Sequence, residues 1–224
     1  MIRCAMIFAA GRGERMRPLS DATPKPLLRV GSKMLIEHHL EKLAAAGVRE
    51  IVINTSHLAE QFPAALGDGS RWGVRIHYSY EGVKPLETGG GIRHALPLLG
   101  PEPFIGVAAD IVSDYDYTKL PADPAALAHL VMVPNPAFHP RGDFFLDGTR
   151  LNEDGVGERL TFSSIGVYRP ELVAGETATY FKLLPHFQRA MRDGRLTGER
   201  FDGYWRNIGT LEQLREIATL WSGN

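Results

Sequence analysis

The sequence predicts an α/β fold, a doubly wound mixed sheet flanked by helices and carrying a small antiparallel insertion. Short apolar strands alternate with amphipathic helices through the first half of the chain, which is typical of parallel βαβ units. From about residue 129, strands follow one another through short turns, which indicates antiparallel pairing. The chain has 224 residues, of which 44% are hydrophobic. One core can therefore be buried, and we expect a single domain over residues 1–224.

The elements of the first half follow from apolar spacing and from turn residues. Residues 5–8 form a short apolar run that reads as a buried strand, and residues 35–47 show helical spacing that ends at Gly47. The remaining elements of this half are a strand at 50–54, a helix at 57–66, a strand at 74–78, a helix whose N-cap is Thr88, and a strand at 104–107. The second half contains strands at 129–133, 143–146, 150–151 and 160–168, a helix at 181–191, and a last helix that Thr210 caps.

Charge and composition exclude several classes of protein. The net charge is −1, so no overall basic field attracts nucleic acid. The single cysteine, Cys4, excludes an internal disulfide and a cysteine-based zinc site. No stretch approaches the roughly eighteen apolar residues of a membrane span, and the N-terminal apolar run is too short for a signal peptide. We expect a soluble, cytoplasmic protein, a monomer or small homo-oligomer, with no nucleic-acid or membrane partner.

The loop after the first strand concentrates glycines and cations. Gly11 and Gly13 let the backbone turn sharply and bring N–H groups against a ligand. Arg15, Arg17 and Lys25 follow closely. Backbone donors together with several cations suit a polyphosphate. The alternative is a surface loop with solvated arginines.

Polar residues also stand where later strands end, which is where ligands bind in open α/β sheets. Asn54 is either a ligand contact or a turn cap. Asp110 ends the strand beside the glycine loop and is the expected Mg²⁺ ligand, since Mg²⁺ takes carboxylate and phosphate oxygens. The glycines at 89–91 allow either close approach of a nucleobase or tight helix packing.

The motif G-x-G-x-R-x-x-P-L, followed by T-P-K-P-L and by Leu-Ile opening a helix, carries a resemblance to a known family. It stands here as Gly11, Gly13, Arg15, Pro18, Leu19, Thr23, Pro24, Lys25, Pro26 and Leu27, with Leu35 and Ile36. The chain resembles the sugar-1-phosphate nucleotidyltransferases, or nucleoside-diphosphate-sugar pyrophosphorylases. The resemblance covers nearly the whole chain and implies a Rossmann-like, GT-A-like fold of the nucleotide-diphospho-sugar transferase type.

The resemblance implies roles for particular residues. About 1–128 is expected to be the nucleotide-binding part and about 129–224 the sugar-binding part. Arg15 and Lys25 are the expected catalytic residues, and Asp110 and Asn207 the expected Mg²⁺ ligands. The expected nucleotide contacts are Ala10, Gly11, Arg12, Gly13, Asn54, Glu81, Thr88 and Gly89. The expected sugar contacts are Asp143, Ser163 and Glu158, for which ordinary strand-face polarity is the alternative.

Two departures from the family pattern stand out. Asn207 occupies a position where relatives carry an aspartate, so a metal there loses one compensating charge. Ala108 replaces a polar residue that is expected to touch the nucleotide. Both departures are compatible with a nucleotide-sensing protein that has lost turnover, which is the alternative outside enzymes.

The activity that the resemblance implies is transfer of a nucleotidyl group to a sugar 1-phosphate, with release of pyrophosphate. The substrates expected first are UTP and N-acetylmuramate 1-phosphate, in cell-wall recycling. Arg141 or Arg159 is the expected partner of the lactyl carboxylate of that sugar. The alternatives are a mannose-1-phosphate guanylyltransferase, a glucose-1-phosphate thymidylyl- or uridylyltransferase, and a phosphocholine cytidylyltransferase. A dinucleotide-dependent dehydrogenase is disfavoured because the loop lacks the third glycine spacing.

Overall fold

The computed structural model describes residues 1–221 and has a nine-stranded mixed sheet as its main element. In chain order the strands of the described residues are β1 (Cys4–Phe8), β2 (Arg29–Val30), β3 (Lys33–Met34), β4 (Glu50–Thr55), β5 (Arg75–Tyr80), β6 (Phe104–Ala108), β7 (Ile111–Ser113), β8 (Ala128–Val133), β9 (Phe144–Asp147), β10 (Arg150–Asn152), β11 (Glu158–Tyr168), β12 (Leu196–Arg200) and β13 (Trp205–Asn207). The α-helices are α1 (Leu19–Ala22), α2 (Leu35–Ala45), α3 (Gln61–Leu66), α4 (Glu87–Leu99), α5 (Leu184–Arg192) and α6 (Leu211–Trp221).

The first half of the chain forms the parallel part of the sheet. Neighbouring strands run in the order β5-β4-β1-β6, and all three pairings are parallel. The register places Phe8 beside Asn54 on one side and beside Ala108 on the other. The carboxyl ends of these strands therefore meet at one edge, where the loop after β1 begins. The predicted parallel half is confirmed.

The second half of the chain closes on itself. The sheet continues β11-β8-β12-β10-β9, and β9 also pairs with β11, so these five strands form a ring. Most of these pairings are antiparallel, as predicted, but β12 runs parallel to β8 and was not predicted. β11 carries a bulge between Phe162 and Gly166, where Ser164 has a φ of 64°.

Three helix boundaries differ from the sequence-based expectation, and one of them is the start of α5, which is Leu184 and not residue 181. The helix expected at 57–66 begins only at Gln61, because the preceding residues form a turn in which Leu58 has a φ of 51°. Thr88 is not the N-cap of α4: Leu86 is the cap, and Glu87 is the first helical residue. Thr210 does cap α6, since its hydroxyl accepts the N–H of Gln213 at 3.3 Å.

Alternating side chains of the parallel strands divide the core between the two faces of the sheet. Ile7 and Ile53 pack with Leu40 of α2 and Phe62 of α3. The neighbouring position Met6 points the opposite way, into a second core that contains side chains of α4 and α5. Helices therefore cover both faces, which is the arrangement meant by doubly wound.

A third, smaller core joins the end of the described chain to its beginning. Met16, from the loop after β1, is buried with Ile208 and with Leu214 and Ile217 of α6. Val112 of β7, the strand that pairs with β13, also lies in this core. Because α6 packs here, the segment 207–209 lies next to the loop after β1. No helix of the described residues is long and apolar enough to cross a membrane.

Burial of His39 on α2 predicts a loss of stability in acid. The ring is 3% exposed, and Nδ1 lies 3.3 Å from the hydroxyl of Tyr117. Burial lowers the pKa of His39 from 6.5 to about 4, so the folded protein keeps a neutral ring that the unfolded chain protonates more readily. The stabilisation is complete above the unfolded pKa and is lost as pH falls from about 6.5 to about 4, amounting to about 3 kcal/mol.

Urea unfolding across this pH interval measures the effect. In His39→Leu the slope of unfolding free energy against pH is expected to become shallower. His94→Gln, at an exposed position of α4, serves as the control and should keep the original slope. An unchanged slope in His39→Leu would contradict the prediction.

Candidate functional site

Two adjoining cavities open at the edge where the parallel strands end. The larger, about 530 Å³, is lined by Phe8, Ala10, Gly11, Arg12, Asn54, Glu81, Val83, Lys84, Pro85, Glu87, Thr88 and Tyr180. The smaller, about 350 Å³, is lined by Phe8, Ala9, Gly11, Gly13, Glu14, Arg15, Lys25, Pro26, Ala109, Asp110 and Gly209. Phe8 and Gly11 belong to both, so the glycine loop separates the two spaces. The larger cavity falls in the size range of small-molecule sites.

The glycine loop needs Gly13 for two reasons. Its φ is 63°, a left-handed conformation in which glycine carries no Cβ penalty. A Cβ at this position would also lie 3.1 Å from Cβ of Lys25. Gly11, by contrast, has no heavy atom within 4 Å of its Cβ position, so its backbone faces open space. The loop therefore packs closely on Lys25 at Gly13 and leaves room for a ligand at Gly11.

Lys25 and Asp110 form an ion pair in the smaller cavity. Nζ of Lys25 donates to Oδ2 of Asp110 at 2.6 Å, and the two side chains are 9% and 30% exposed. Asp110 stands here because Ala109 continues the pairing of β6 with β1 by donating its N–H to the carbonyl of Phe8 at 3.0 Å. The sequence analysis placed Lys25 and Asp110 in one site, and the structure brings the two side chains together here.

Arg15 extends the cationic wall of this cavity. Its guanidinium packs on Gly209, where a Cβ would lie 3.0 Å from one terminal nitrogen. Gly209 is placed by the third core, since Ile208 is fully buried beside it. The packing of α6 thus determines how closely the 207–209 segment approaches Arg15.

Asn207 and Asp110 are neighbours through the backbone. Asn207 is the register partner of Ile111, and the N–H of Ile208 donates to the carbonyl of Asp110 at 2.7 Å. Asp110 lines the smaller cavity and Asn207 lines neither, so the proximity of the two residues is one of backbone. A carboxylate and an amide oxygen are donor types that fit Mg²⁺, which takes one or two protein carboxylates and completes its shell with phosphate oxygens and water. Within the described residues, no group of three histidine, cysteine or acidic side chains could hold a metal without such help.

Asn54 and Glu81 lie at the back of the larger cavity and hold its walls together. Oδ1 of Asn54 accepts the N–H of Ala9 at 2.7 Å, and its Nδ2 donates to Oε1 of Glu81 at 2.7 Å. Oε2 of Glu81 accepts the N–H of Leu86 at 2.7 Å. Both carboxylate oxygens of Glu81 are therefore engaged with the protein. Glu81 lines the larger cavity, and its role as a nucleotide contact stays a prediction, because both oxygens here serve Asn54 and the loop before α4.

The glycines at 89–91 are explained by packing. A Cβ on Gly89 would lie 2.4 Å from the ring of Phe181, and one on Gly90 would lie 2.3 Å from the carbonyl of Thr179. A Cβ on Gly91 would meet Oε1 of Glu81 at 2.5 Å. The helix-packing alternative therefore accounts for these positions. Thr88 lines the larger cavity, whereas Gly89 lies under Phe181 and lines neither of the two cavities.

The expected sugar contacts have other partners in the structure. Oδ2 of Asp143 accepts the N–H of Phe162 at 2.8 Å, and its Oδ1 lies 3.0 Å from Nε2 of His139. Ser163 is fully buried, and its hydroxyl accepts the N–H of Ile165 at 3.2 Å inside the bulge of β11. Glu158 is ion-paired with Arg200. None of the three lines either cavity, so the structure does not support them as direct contacts.

The arginines expected to meet a sugar carboxylate lie apart from both cavities as well. The guanidinium of Arg159 lies 5.2 Å from the ring centre of Phe145, a cation–π contact, and Arg141 is exposed. Neither residue lines a cavity described above.

Several lining residues were missed in the sequence. Glu87 and Tyr180 line the larger cavity, and Glu14 and Gly209 line the smaller one. Gly209 could have been found, because it follows Asn207, a predicted site residue, by two positions. Tyr180 gave no local signal, since its position depends on packing against residues some ninety positions earlier.

Comparisons with known proteins agree on one family. The nucleotidyl transferase family model matches residues 4–136. An N-acetylmuramate alpha-1-phosphate uridylyltransferase from Neisseria meningitidis serogroup B is 48% identical over 224 residues, covering 96% of this chain and 97% of that protein. A protein of the same name from Caulobacter vibrioides is 36% identical over 222 residues, covering 92% of each chain.

Solved structures share the fold. The structure of a Bacillus anthracis protein in complex with sucrose superposes with a TM-score of 0.83 at 18% identity, covering 98% of this chain and 95% of that chain. The predicted fold type is confirmed.

Proposed function

The chain belongs to the nucleotidyl transferase family, and on that premise we propose that it joins UTP to N-acetylmuramate α-1-phosphate and releases pyrophosphate. One observation carries the choice of substrates: the 48% identity to a protein named for this reaction extends over nearly the full length of both chains. A mannose-1-phosphate guanyltransferase from Aspergillus fumigatus, 30% identical, is covered over only 60% of its length. The corresponding role is in cell-wall recycling, in the cytoplasm.

The two cavities suit the two ends of the nucleotide. The smaller cavity holds the cations Arg15 and Lys25 together with the open backbone at Gly11, which suits the triphosphate. The larger cavity adjoins it at Gly11 and has more apolar than polar walls, which suits the nucleoside. The sugar 1-phosphate enters from the side of Lys25 and Asp110.

The reaction is an in-line displacement at the α-phosphorus. An oxygen of the sugar phosphate forms a bond to that phosphorus while the bond to the bridging oxygen of the β-phosphate breaks, and pyrophosphate leaves with the electron pair. A phosphate monoester is already largely ionised at neutral pH, since its second pKa is about 6. No general base is needed, and catalysis consists of positioning and charge neutralisation.

Each residue has a definite part in this scheme. Backbone N–H groups at Gly11 and Gly13 hold β- and γ-phosphate oxygens. Arg15, seated on Gly209, neutralises the pyrophosphate as it leaves. Lys25 bridges the α-phosphate and the incoming sugar phosphate, while Asp110 and Asn207 provide the site of a divalent cation, for which we propose Mg²⁺. When bound, Mg²⁺ supplies further neutralisation of phosphate charge.

Pyrophosphate release tests the proposed substrates. UTP, dTTP, GTP and CTP are each supplied with the 1-phosphates of N-acetylmuramate, N-acetylglucosamine, glucose and mannose, in the presence of Mg²⁺. Turnover confined to UTP with N-acetylmuramate 1-phosphate is expected. Turnover with another pair would assign the chain to one of the related activities. Nucleotide binding without any turnover would indicate a nucleotide-sensing protein.

Because the side chain at residue 207 is neutral, we predict a weak affinity for Mg²⁺ that an aspartate at this position would strengthen. Asn207→Asp adds one negative charge beside Asp110, so the Mg²⁺ concentration that gives half-maximal turnover is expected to fall about tenfold. Titration of Mg²⁺ against initial rate at saturating substrate measures it. Gln188→Glu makes the same change of amide to carboxylate on α5, at a residue that lines neither cavity, and should leave the Mg²⁺ titration unchanged. No shift in Asn207→Asp would place residue 207 away from the metal.

A further inference from the structure

Glu87 has a backbone conformation that disfavours its own side chain. It is the first residue of α4 and has a φ of 63°. The left-handed conformation costs a residue with a Cβ about 1–2 kcal/mol, a cost that glycine does not bear. The three residues after Thr88 are glycines, and each is explained by a neighbouring group. At the position where glycine would relieve strain, the chain carries a carboxylate instead. Backbone strain of this kind is concentrated at binding and catalytic sites.

A residue from the second half of the chain holds this carboxylate. The hydroxyl of Tyr180 donates to Oε1 of Glu87 at 3.0 Å. Tyr180 is positioned through its neighbour Phe181, whose backbone makes two hydrogen bonds to the start of α4. The N–H of Phe181 donates to the carbonyl of Leu86 at 3.3 Å, and the carbonyl of Phe181 accepts the N–H of Gly90 at 3.1 Å. Glu87 therefore has a defined orientation on the wall of the larger cavity.

The chemistry of a carboxylate limits what it can face. An ionised carboxylate is an acceptor only, and Glu87 is half-buried, so its lone pairs accept from water or from the donor of a bound ligand. The triphosphate offers none and is repelled, and its cationic partners Arg15 and Lys25 line the other cavity. Arg12 and Lys84 also line the larger cavity, but a nucleotide group that contacts Glu87 directly is favoured when it carries an N–H or O–H. In the larger cavity, beyond the glycine loop, that part is the nucleobase.

We propose that Glu87, oriented by Tyr180, accepts the imide N–H of the nucleobase and thereby favours UTP over CTP. Uracil carries a hydrogen at N3, whereas cytosine presents an acceptor at N3 that the carboxylate opposes. This inference rests on the proposed function, since it concerns the nucleotide site of that reaction. Glu87 is the contact, and Tyr180 is a positioning residue.

Equilibrium binding tests the inference without turnover. Calorimetric titration of UTP, CTP and 2′-deoxy-UTP into the protein with Mg²⁺ and no sugar phosphate gives three dissociation constants. In Glu87→Gln and Glu87→Gly the preference for UTP over CTP is expected to fall about tenfold or more, because the amide can donate to cytosine and glycine offers no acceptor. Tyr180→Phe is expected to reduce the same preference by a smaller factor.

The controls separate base reading from other roles. Lys84→Ala, on the wall of the same cavity, should change the affinities for UTP and CTP by the same factor. Glu87→Gly should keep or raise Tm, since it relieves the strained φ. An unchanged UTP-to-CTP ratio in both Glu87 variants would overturn the inference. A change in the ratio of UTP to 2′-deoxy-UTP instead would assign Glu87 to the ribose and overturn it too.

The outcome is distinguishable from failure of the proposed function. Thymine carries the same imide N–H and guanine a lactam N–H at N1, so if dTTP or GTP proves to be the substrate, the same loss of preference over CTP is expected for that nucleotide. The substrate assignment would then be wrong while the role of Glu87 stands. Failure of the unaltered protein to bind any of the nucleotides would overturn both.

Discussion

Replacement of Lys25 by alanine is expected to lower turnover about 1,000-fold, because a positioned cation at a phosphoryl centre contributes that order of rate enhancement. Nζ of Lys25 lies 2.6 Å from Asp110 in a cavity that also contains Arg15. Among the residues that the structure describes, no other lysine lines that cavity. Initial rates of pyrophosphate release at saturating UTP and sugar phosphate measure the loss.

The structure offers a matched control for this variant. Lys33 is ion-paired with Glu41 at 2.7 Å on an exposed surface, so Lys33→Ala should keep full activity. The side chain of Lys25 is buried against the wall of the smaller cavity and belongs to no strand of the sheet. Lys25→Ala should therefore leave the circular dichroism spectrum unchanged. Turnover within a few-fold of the unaltered protein would rule out the role assigned to Lys25.

Replacement of Asp110 by asparagine is expected to reduce kcat/KM by a comparable amount and also to lower stability. The amide is a weaker ligand for Mg²⁺ than the carboxylate. It also leaves the ammonium of Lys25, whose side chain is 9% exposed, without its charged partner. Loss of a charged partner for a buried group costs about 1–3 kcal/mol, measurable as a shift in the urea midpoint.

A double variant separates the two effects. Lys25→Met combined with Asp110→Asn removes the unpaired buried charge, so stability should recover while activity stays absent. Asp123→Asn breaks a pair with Arg169 in which the aspartate is 79% exposed, and should change neither quantity appreciably. If Asp110→Asn retained its kcat/KM, the metal site would have to lie elsewhere.

The parallel half of the fold and the position of the glycine loop could be predicted because their determinants are close together in the sequence. Gly11, Gly13, Arg15 and Lys25 fall within fifteen residues, and strand periodicity alone placed Asp110 at the same edge. Their meeting at one cavity required only the rule that parallel strands end together.

The roles of Glu81, Asp143 and Ser163 could not be predicted because a polar side chain looks the same whether it binds a ligand or a backbone N–H. Which N–H groups lie nearby depends on pairings between distant residues. Asp143 accepts from Phe162, nineteen residues later, and Glu81 accepts from Asn54, twenty-seven residues earlier. The glycine at residue 89 was ambiguous for the same reason, since its neighbour is Phe181.

The ring formed by β8 to β12 has a consequence for association between molecules. Every strand of the ring has neighbours on both sides, so among the described residues the nine-stranded sheet has one open edge, at β5. An unpaired edge is a template for strand addition, which leads to aggregation unless the edge is protected. On β5, Arg75 has a side chain 71% exposed, and His77 lies 2.8 Å from Glu50. Charge at this one edge is therefore what opposes edge-to-edge polymerisation of the protein.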